Sequence, residues 1–205
     1  MLMRKLLFCC LVLFATPAMA QFNNEWIDFN KTYYKFKVGR DSLYRIPAAT
    51  LQSAGLGSVP AEHFQLWRNG EEVRIYTTVS TGAFGPNDYI EFWGRMNDGE
   101  KDTELFKDPD SHLNKKVSLH TDTAVYFLTV NPAGNNLRYV DAVNGNPASM
   151  TPDAYFMRTV ERNYRTRMNR GKATVVSEYV YSSAYDIGEG WTSNEASPCC
   201  DVVME

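Results

Sequence analysis

The chain has 205 residues, 21 basic and 24 acidic side chains, a net charge of −3 at pH 7, and 44% hydrophobic against 22% charged residues. That length suits one medium domain or one domain and part of another, and the composition is that of a folded chain rather than a disordered one. The acidic balance gives no support to nucleic acid as a general partner, while 13% aromatic content, with 12 Tyr and 11 Phe, leans towards half-buried pleated sheet.

The amino terminus reads as a secretory signal peptide over residues 1–20. Arg4 and Lys5 form a short positive region, Leu6 to Phe14 is apolar, and Ala18-Met19-Ala20 fits a small-x-small cleavage site that leaves Gln21 first. The apolar run is shorter than the roughly 20 residues a spanning helix needs. No other segment is long and apolar enough to span a membrane, so the mature chain is expected in the periplasm, at the outer-membrane surface or outside the cell. Cleavage leaves 19 basic and 24 acidic residues, a charge of −5.

It also removes Cys9 and Cys10. The remaining Cys199 and Cys200 are neighbours, so no disulfide framework is expected despite an oxidising destination. The polar stretch Thr192 to Pro198 before them lacks the strand end and placed base that a nucleophilic thiol needs.

In chain order, Trp26, Ile27 and Phe29 are available to dock from a polar lead-in. Tyr34, Phe36 and Val38 share one face of a strand over Thr32 to Val38. Gly39-Arg40-Asp41 is a turn into a return strand, Leu43 to Ile46. Pro47 to Gly55 predicts one short helix, with proline first and glycine ending it in the left-handed region. Phe64 to Gly94 predicts an antiparallel meander of three strands. Asn69-Gly70 makes its first turn, because both residues tolerate positive φ, and Gly82, Gly85 and Pro86 break the second connection.

The acidic stretch Asp98 to Asp110 reads as loop. Ala124 to Val130, rich in strand formers, predicts a central, doubly buried strand, and Leu137 to Val140 a returning one. Asp141 to Asp153 is the boundary candidate, giving a β-rich domain over 21–141 and the start of a second β region over 142–205. In that region Ala154 to Tyr164 and Thr174 to Tyr181 predict two long strands around a basic turn, Arg165 to Lys172. The fold class expected is mainly β: an antiparallel β-sandwich or barrel-like domain with one short helix, then a partial β-hairpin extension.

Chemistry-bearing constellations are sparse. Asp98, Glu100 and Asp102 are candidate calcium ligands, since hard oxygens in one loop suit that ion, but the spacing departs from the helix-loop-helix calcium pattern and a solvated surface loop is favoured. His63, His112 and His120 lack zinc-ligand spacing and read as surface or hydrogen-bonded residues. No nucleophile elbow and no phosphate loop is present in the sequence, so no catalytic residue and no cofactor is assigned. Arg165, Arg167 and Arg170, with nearby Tyr and Phe, are candidates for gripping an anionic partner, weighed against solvated arginines paired to Glu161 and Glu178. Trp67, Trp93 and Trp191 are candidates for a sugar-stacking platform, weighed against core packing.

Taken together, Asn24-Glu25-Trp26-Ile27-Asp28, Tyr33 to Val38, Leu43 to Ile46, Leu66-Trp67-Arg68-Asn69-Gly70, Asp88 to Gly94, Thr123 to Thr129, Glu178 to Tyr181 and Gly188 to Trp191 resemble the amino-terminal region of PorU-like sortases. These belong to the type IX secretion system of Bacteroidota, within the gingipain-like cysteine peptidases of family C25. The resemblance implies a secreted β-rich domain that precedes a Cys-His peptidase domain. No position here matches the catalytic histidine or cysteine, and no peptidase domain follows Glu205, the pattern a truncated reading frame leaves. The function implied is therefore that of a non-catalytic domain packing against a peptidase domain or another type IX secretion component. A free-standing carbohydrate-binding module at the cell surface is the alternative.

Overall fold

The computed structural model describes residues 24–143, 145, 151, 153–171, 174–175, 178–179 and 184–194. The expected signal peptide and both Cys199 and Cys200 lie outside them.

The chain forms a mainly β, sandwich-like fold, not a closed barrel. Strands β1 (Tyr34–Val38), β7 (Ala124–Val130), β3 (Phe64–Arg68) and β4 (Glu71–Val73) lie in that order in one antiparallel sheet. Strands β2 (Ser42–Pro47), β6 (Tyr89–Gly94) and β5 (Tyr76–Thr77) make a second. Between β2 and β3, helix α1 (Ala48–Ser53) follows Pro47, which caps it in extended conformation. It closes with Gly55 at φ +79°, with Leu56 N–H donating to Leu51 O (2.8 Å) and Gly55 N–H to Gln52 O (3.0 Å). That pair of bonds is the Schellman closure, which leaves no Cβ in the left-handed position.

Residues of period two set the core. From the four-stranded sheet Phe36, Val38, Phe64, Leu66, Tyr126 and Leu128 face inward, and from the other Tyr44, Ile46, Ile90 and Phe92. Phe92 is fully buried and has ring contacts to Phe36 (5.8 Å), Tyr44 (5.7 Å) and Tyr126 (5.4 Å), so one aromatic cluster bridges the two sheets. Gly94 makes room for it, because a Cβ there would sit 2.5 Å from Tyr44 Cδ2. The Tyr126 hydroxyl donates to Arg95 O (3.1 Å) and accepts from Arg95 N–H (2.8 Å), and burial pushes its pKa up.

Two predicted pairings are corrected. β1 and β2 do not form a hairpin: β1 pairs with β7 and β2 with β6. The expected meander keeps its β3–β4 turn, where Asn69 and Gly70 take φ +51° and +83°, and its last antiparallel pairing, β5 with β6, but it is split between layers: β5 and β6 belong to the opposite sheet. The chain changes layer at Arg74 and Ile75, and Ile75 is fully buried. Alternation says which face of a strand is covered, not which strand lies beside it. β7 is central, between β1 and β3, with one face buried and the other partly so. The partly covered side carries Phe127, beneath Trp26, Tyr33 and Trp67.

Leu137 to Val140 makes only an isolated parallel bridge, Ile75 to Arg138. There Arg138, half-buried, donates from Nη2 to the carbonyls of Ala61 and Phe64, both at 2.9 Å.

The carboxy-terminal pairing differs more. Residues 153–165 carry no regular structure, and β8 (Arg167–Arg170) occupies what was expected to be the basic turn. It pairs antiparallel with β11 (Glu189–Thr192), Met168 opposite Trp191. β9 (Thr174–Val175) and β10 (Glu178–Tyr179) pair as a short ribbon of their own. Gly171, at φ +71°, lies where a Cβ would come within 2.9 Å of Ile187 O, so glycine permits the β8–β11 ends to close. The ribbon is tied to the acidic loop: Lys107 N–H donates to Tyr185 O and Tyr185 N–H to Leu105 O, both at 2.9 Å.

Candidate functional site

The acidic stretch folds as two short 3-10 turns, Glu100–Leu105 and Pro109–Ser111. Gly99, at φ +80°, opens the first, against the backbone of Val117 and Ser118 where no Cβ fits. Asp102 is buried, and its Oδ2 accepts from Ser118 Oγ (2.8 Å) and Leu119 N–H (2.7 Å). These bonds fold residues 117–119 back over the turn.

His112 is buried beside them, its ring stacked on Phe106 at 4.8 Å. Its Nδ1 lies 2.7 Å from Thr103 Oγ1, and that hydroxyl donates its only proton to Glu100 O at 2.8 Å. Thr103 must therefore accept from His112, so the proton sits on Nδ1 and Nε2 carries a bare lone pair. Nε2 has no partner among the described residues. Burial lowers the His112 pKa, with Asp102 and the Asn114 backbone pulling the other way. It lines a small cleft of about 60 Å³ between residues 112–119 and β11, where Trp191 Nε1 donates to Ser118 O at 3.0 Å.

Asp102, His112 and Ser118 are the residue types of a nucleophile relay, but they are wired otherwise. The carboxylate receives the serine proton and the imidazole is oriented by a threonine, so the serine hydroxyl is held away from the base it would need. The cleft can offer one hydrogen-bond acceptor. His120, by contrast, is exposed, its Nε2 3.2 Å from the Tyr185 hydroxyl. His63 is half-buried beside the start of β3.

The candidate calcium ligands are not brought together. Asp98 faces Arg68 (3.6 Å) and Arg95 (3.9 Å), Glu100 is exposed, and Asp102 turns inward to Ser118. Among the described residues, no three His, Cys, Asp or Glu side chains are grouped to hold a metal ion.

The three candidate tryptophans lie on three surfaces. Trp67 stacks on Trp26 at 5.3 Å over the outer face of the four-stranded sheet, Trp93 is half-exposed on β6, and Trp191 sits in the ribbon. Of the candidate arginines, Arg165 pairs with Asp122, while Arg167 and Arg170 lie exposed along β8. Glu161 pairs with Lys116 at 3.7 Å.

Two features escape sequence reasoning. The Thr103–His112 bond joins residues nine apart through two 3-10 turns, a spacing that carries no motif. The other is a run of exposed apolar side chains where a strand was expected: Tyr155, Phe156, Met157 and Val160 are 77%, 87%, 89% and 78% exposed. Its signal was present as an apolar segment, read as a long strand. Among the described residues, no helix is long and apolar enough to cross a membrane. Comparison with known protein families, with curated proteins and with solved structures found no match to this chain.

Proposed function

We propose that this chain is an exported, non-catalytic β domain of the PorU-like sortase type, which works by packing against a peptidase domain or another secretion component. The observation that supports this reading is the segment Tyr155 to Val160. It carries no regular secondary structure, and four large apolar side chains stand at least 77% exposed within six residues. Folded domains seldom leave such surface in water unless another molecule covers it. The segment is tied down on its carboxy-terminal side, by the Glu161–Lys116 pair and by Asn114 Nδ2 donating to Asn163 Oδ1 at 3.1 Å. Its residues make no strand pairing within the described chain, leaving the backbone available to a partner sheet.

A photo-crosslinking residue at Phe156, introduced into the full chain in its native cell, tests this. The expected product is a crosslink to a polypeptide carrying a Cys-His peptidase domain or to an outer-membrane secretion component. It disappears when Tyr155, Met157 and Val160 are replaced by serine. Crosslinks only to unrelated proteins, or none, would overturn the reading.

A further inference from the structure

β1 and β2 are each the outermost strand of their sheet, and the sandwich is open between them. A groove of about 310 Å³ runs there, lined by Tyr34, Phe36, Ile46, Leu51, Leu56 and Leu128. Its charged lining residues are Lys35 and Arg45, and no acidic side chain lines it. Arg45 is committed: it pairs with Glu91 Oε2 at 2.7 Å and lies 3.7 Å over the Tyr89 ring. Lys35, and Lys37 two residues on, are exposed and make no ion pair or hydrogen bond with the described residues.

Among the described residues, β1 is bonded on one side only, to β7. Alternate residues of an edge strand turn N–H and C=O outward, a template for another strand. A strand added at this edge must itself alternate. The side chains lying beside Tyr34, Phe36 and Val38 would point between the sheets, into the apolar groove. Those lying beside Lys35 and Lys37 would stand on the outer face, about 5 Å from the lysines. Two cations left without anions on that face call for carboxylates.

We propose that this edge binds an extended peptide of alternating apolar and acidic residues, added to β1 as a further strand. A second copy of this chain is a poor occupant. Its exposed segment Tyr155 to Val160 carries Arg158, with Arg162 beyond, and would set like charges against the lysines. The proposal does not rest on the packing role above: that segment is presented to a partner, whereas this edge receives one.

The test uses the purified full chain and fluorescein-labelled, acetylated peptides of about eight residues, one a Val-Glu repeat and one a Val-Lys repeat. Fluorescence anisotropy is expected to show the Val-Glu peptide binding about tenfold or more tightly than the Val-Lys peptide, with the preference weakened by salt. In the Lys35→Glu/Lys37→Glu variant the preference reverses; both lysines are exposed, and circular dichroism checks that the fold is kept. N-methylation of alternate peptide residues in the register that faces β1 abolishes binding, while the other register tolerates it. No binding of either peptide, equal binding of both, an unreversed preference in the folded double variant, or indifference to N-methylation each overturns the proposal.

Discussion

The sandwich and the β8–β11 ribbon are both built from antiparallel pairs, yet they are held by different forces. In the sandwich the longer strands turn one face into a shared interior, and Val38, Phe64, Leu66, Ile90 and Phe92 are fully buried. In the ribbon every residue of β8 is exposed, and β11 is only half-covered. Its register is fixed instead by backbone bonds to the acidic loop and by two glycines, Gly171 and Gly188, in the left-handed region. Burial is worth about 25 cal/mol per Å² of apolar surface, whereas exposed pairings contribute little net free energy. The sandwich should therefore fail as a unit, and the ribbon should tolerate change locally.

The largest expected effect follows. Phe92→Ala removes the ring that touches Phe36, Tyr44 and Tyr126, and should cost about 3–5 kcal/mol. Met168→Ala, on β8 and 36% exposed, should stay within about 1 kcal/mol. Urea midpoints of the two variants at one pH measure the contrast. Equal losses would mean that the ribbon shares the sandwich's core.

A smaller effect sharpens the same comparison. Gly94 lies in a strand with no positive φ, so its constraint is space alone. Gly94→Ala drives a methyl into the Tyr44 ring and should cost about 1–3 kcal/mol. The cost should shrink in a Tyr44→Ala background, because the clashing ring is gone, and a double-mutant cycle reads that coupling. An unchanged cost in both backgrounds would show that the layer spacing, not the ring, sets the requirement.

How far these features could be read from the sequence follows from the same physics. The strands β1, β2, β3, β6 and β7, the helix and the Asn69-Gly70 turn were legible, because period-two burial and positive-φ residues are local signals. Their partners were not: β1 finds β7 across about ninety residues, and nothing in Tyr34 to Val38 encodes that choice. The ribbon was misread for a related reason. Ala154 to Tyr164 has the composition of a covered strand, while β8, Arg-Met-Asn-Arg, has that of a turn, and the pairing is decided by Gly171 and Gly188 closing against each other. At the His112 cleft, the sequence offered a histidine without metal spacing. Only the fold reveals that Thr103 spends its proton on Glu100 and thereby fixes the tautomer.

That fixed tautomer carries the smallest expected effect, a slope rather than a step. Burial holds the folded His112 pKa below its ordinary value of 6.5, and the opposing pull of Asp102 does not restore it. An unfolded histidine takes up its proton at a pKa near 6.5. Below that pH the unfolded chain binds the proton first, so stability is lost as pH falls, until the folded pKa is also passed. Urea midpoints of the parent should therefore decline from about pH 7 to about pH 5 more steeply than those of His112→Phe, which keeps a ring against Phe106 but cannot titrate. Long-range nitrogen–proton correlation spectra of the parent at pH 7 should show the proton on Nδ1. Parallel slopes in parent and variant, or a proton found on Nε2, would break the chain of bonds from Glu100 through Thr103 to the imidazole. The loop would then be held by Asp102 to residues 118–119 and by the backbone bonds of Leu105 and Lys107 with Tyr185 to the ribbon.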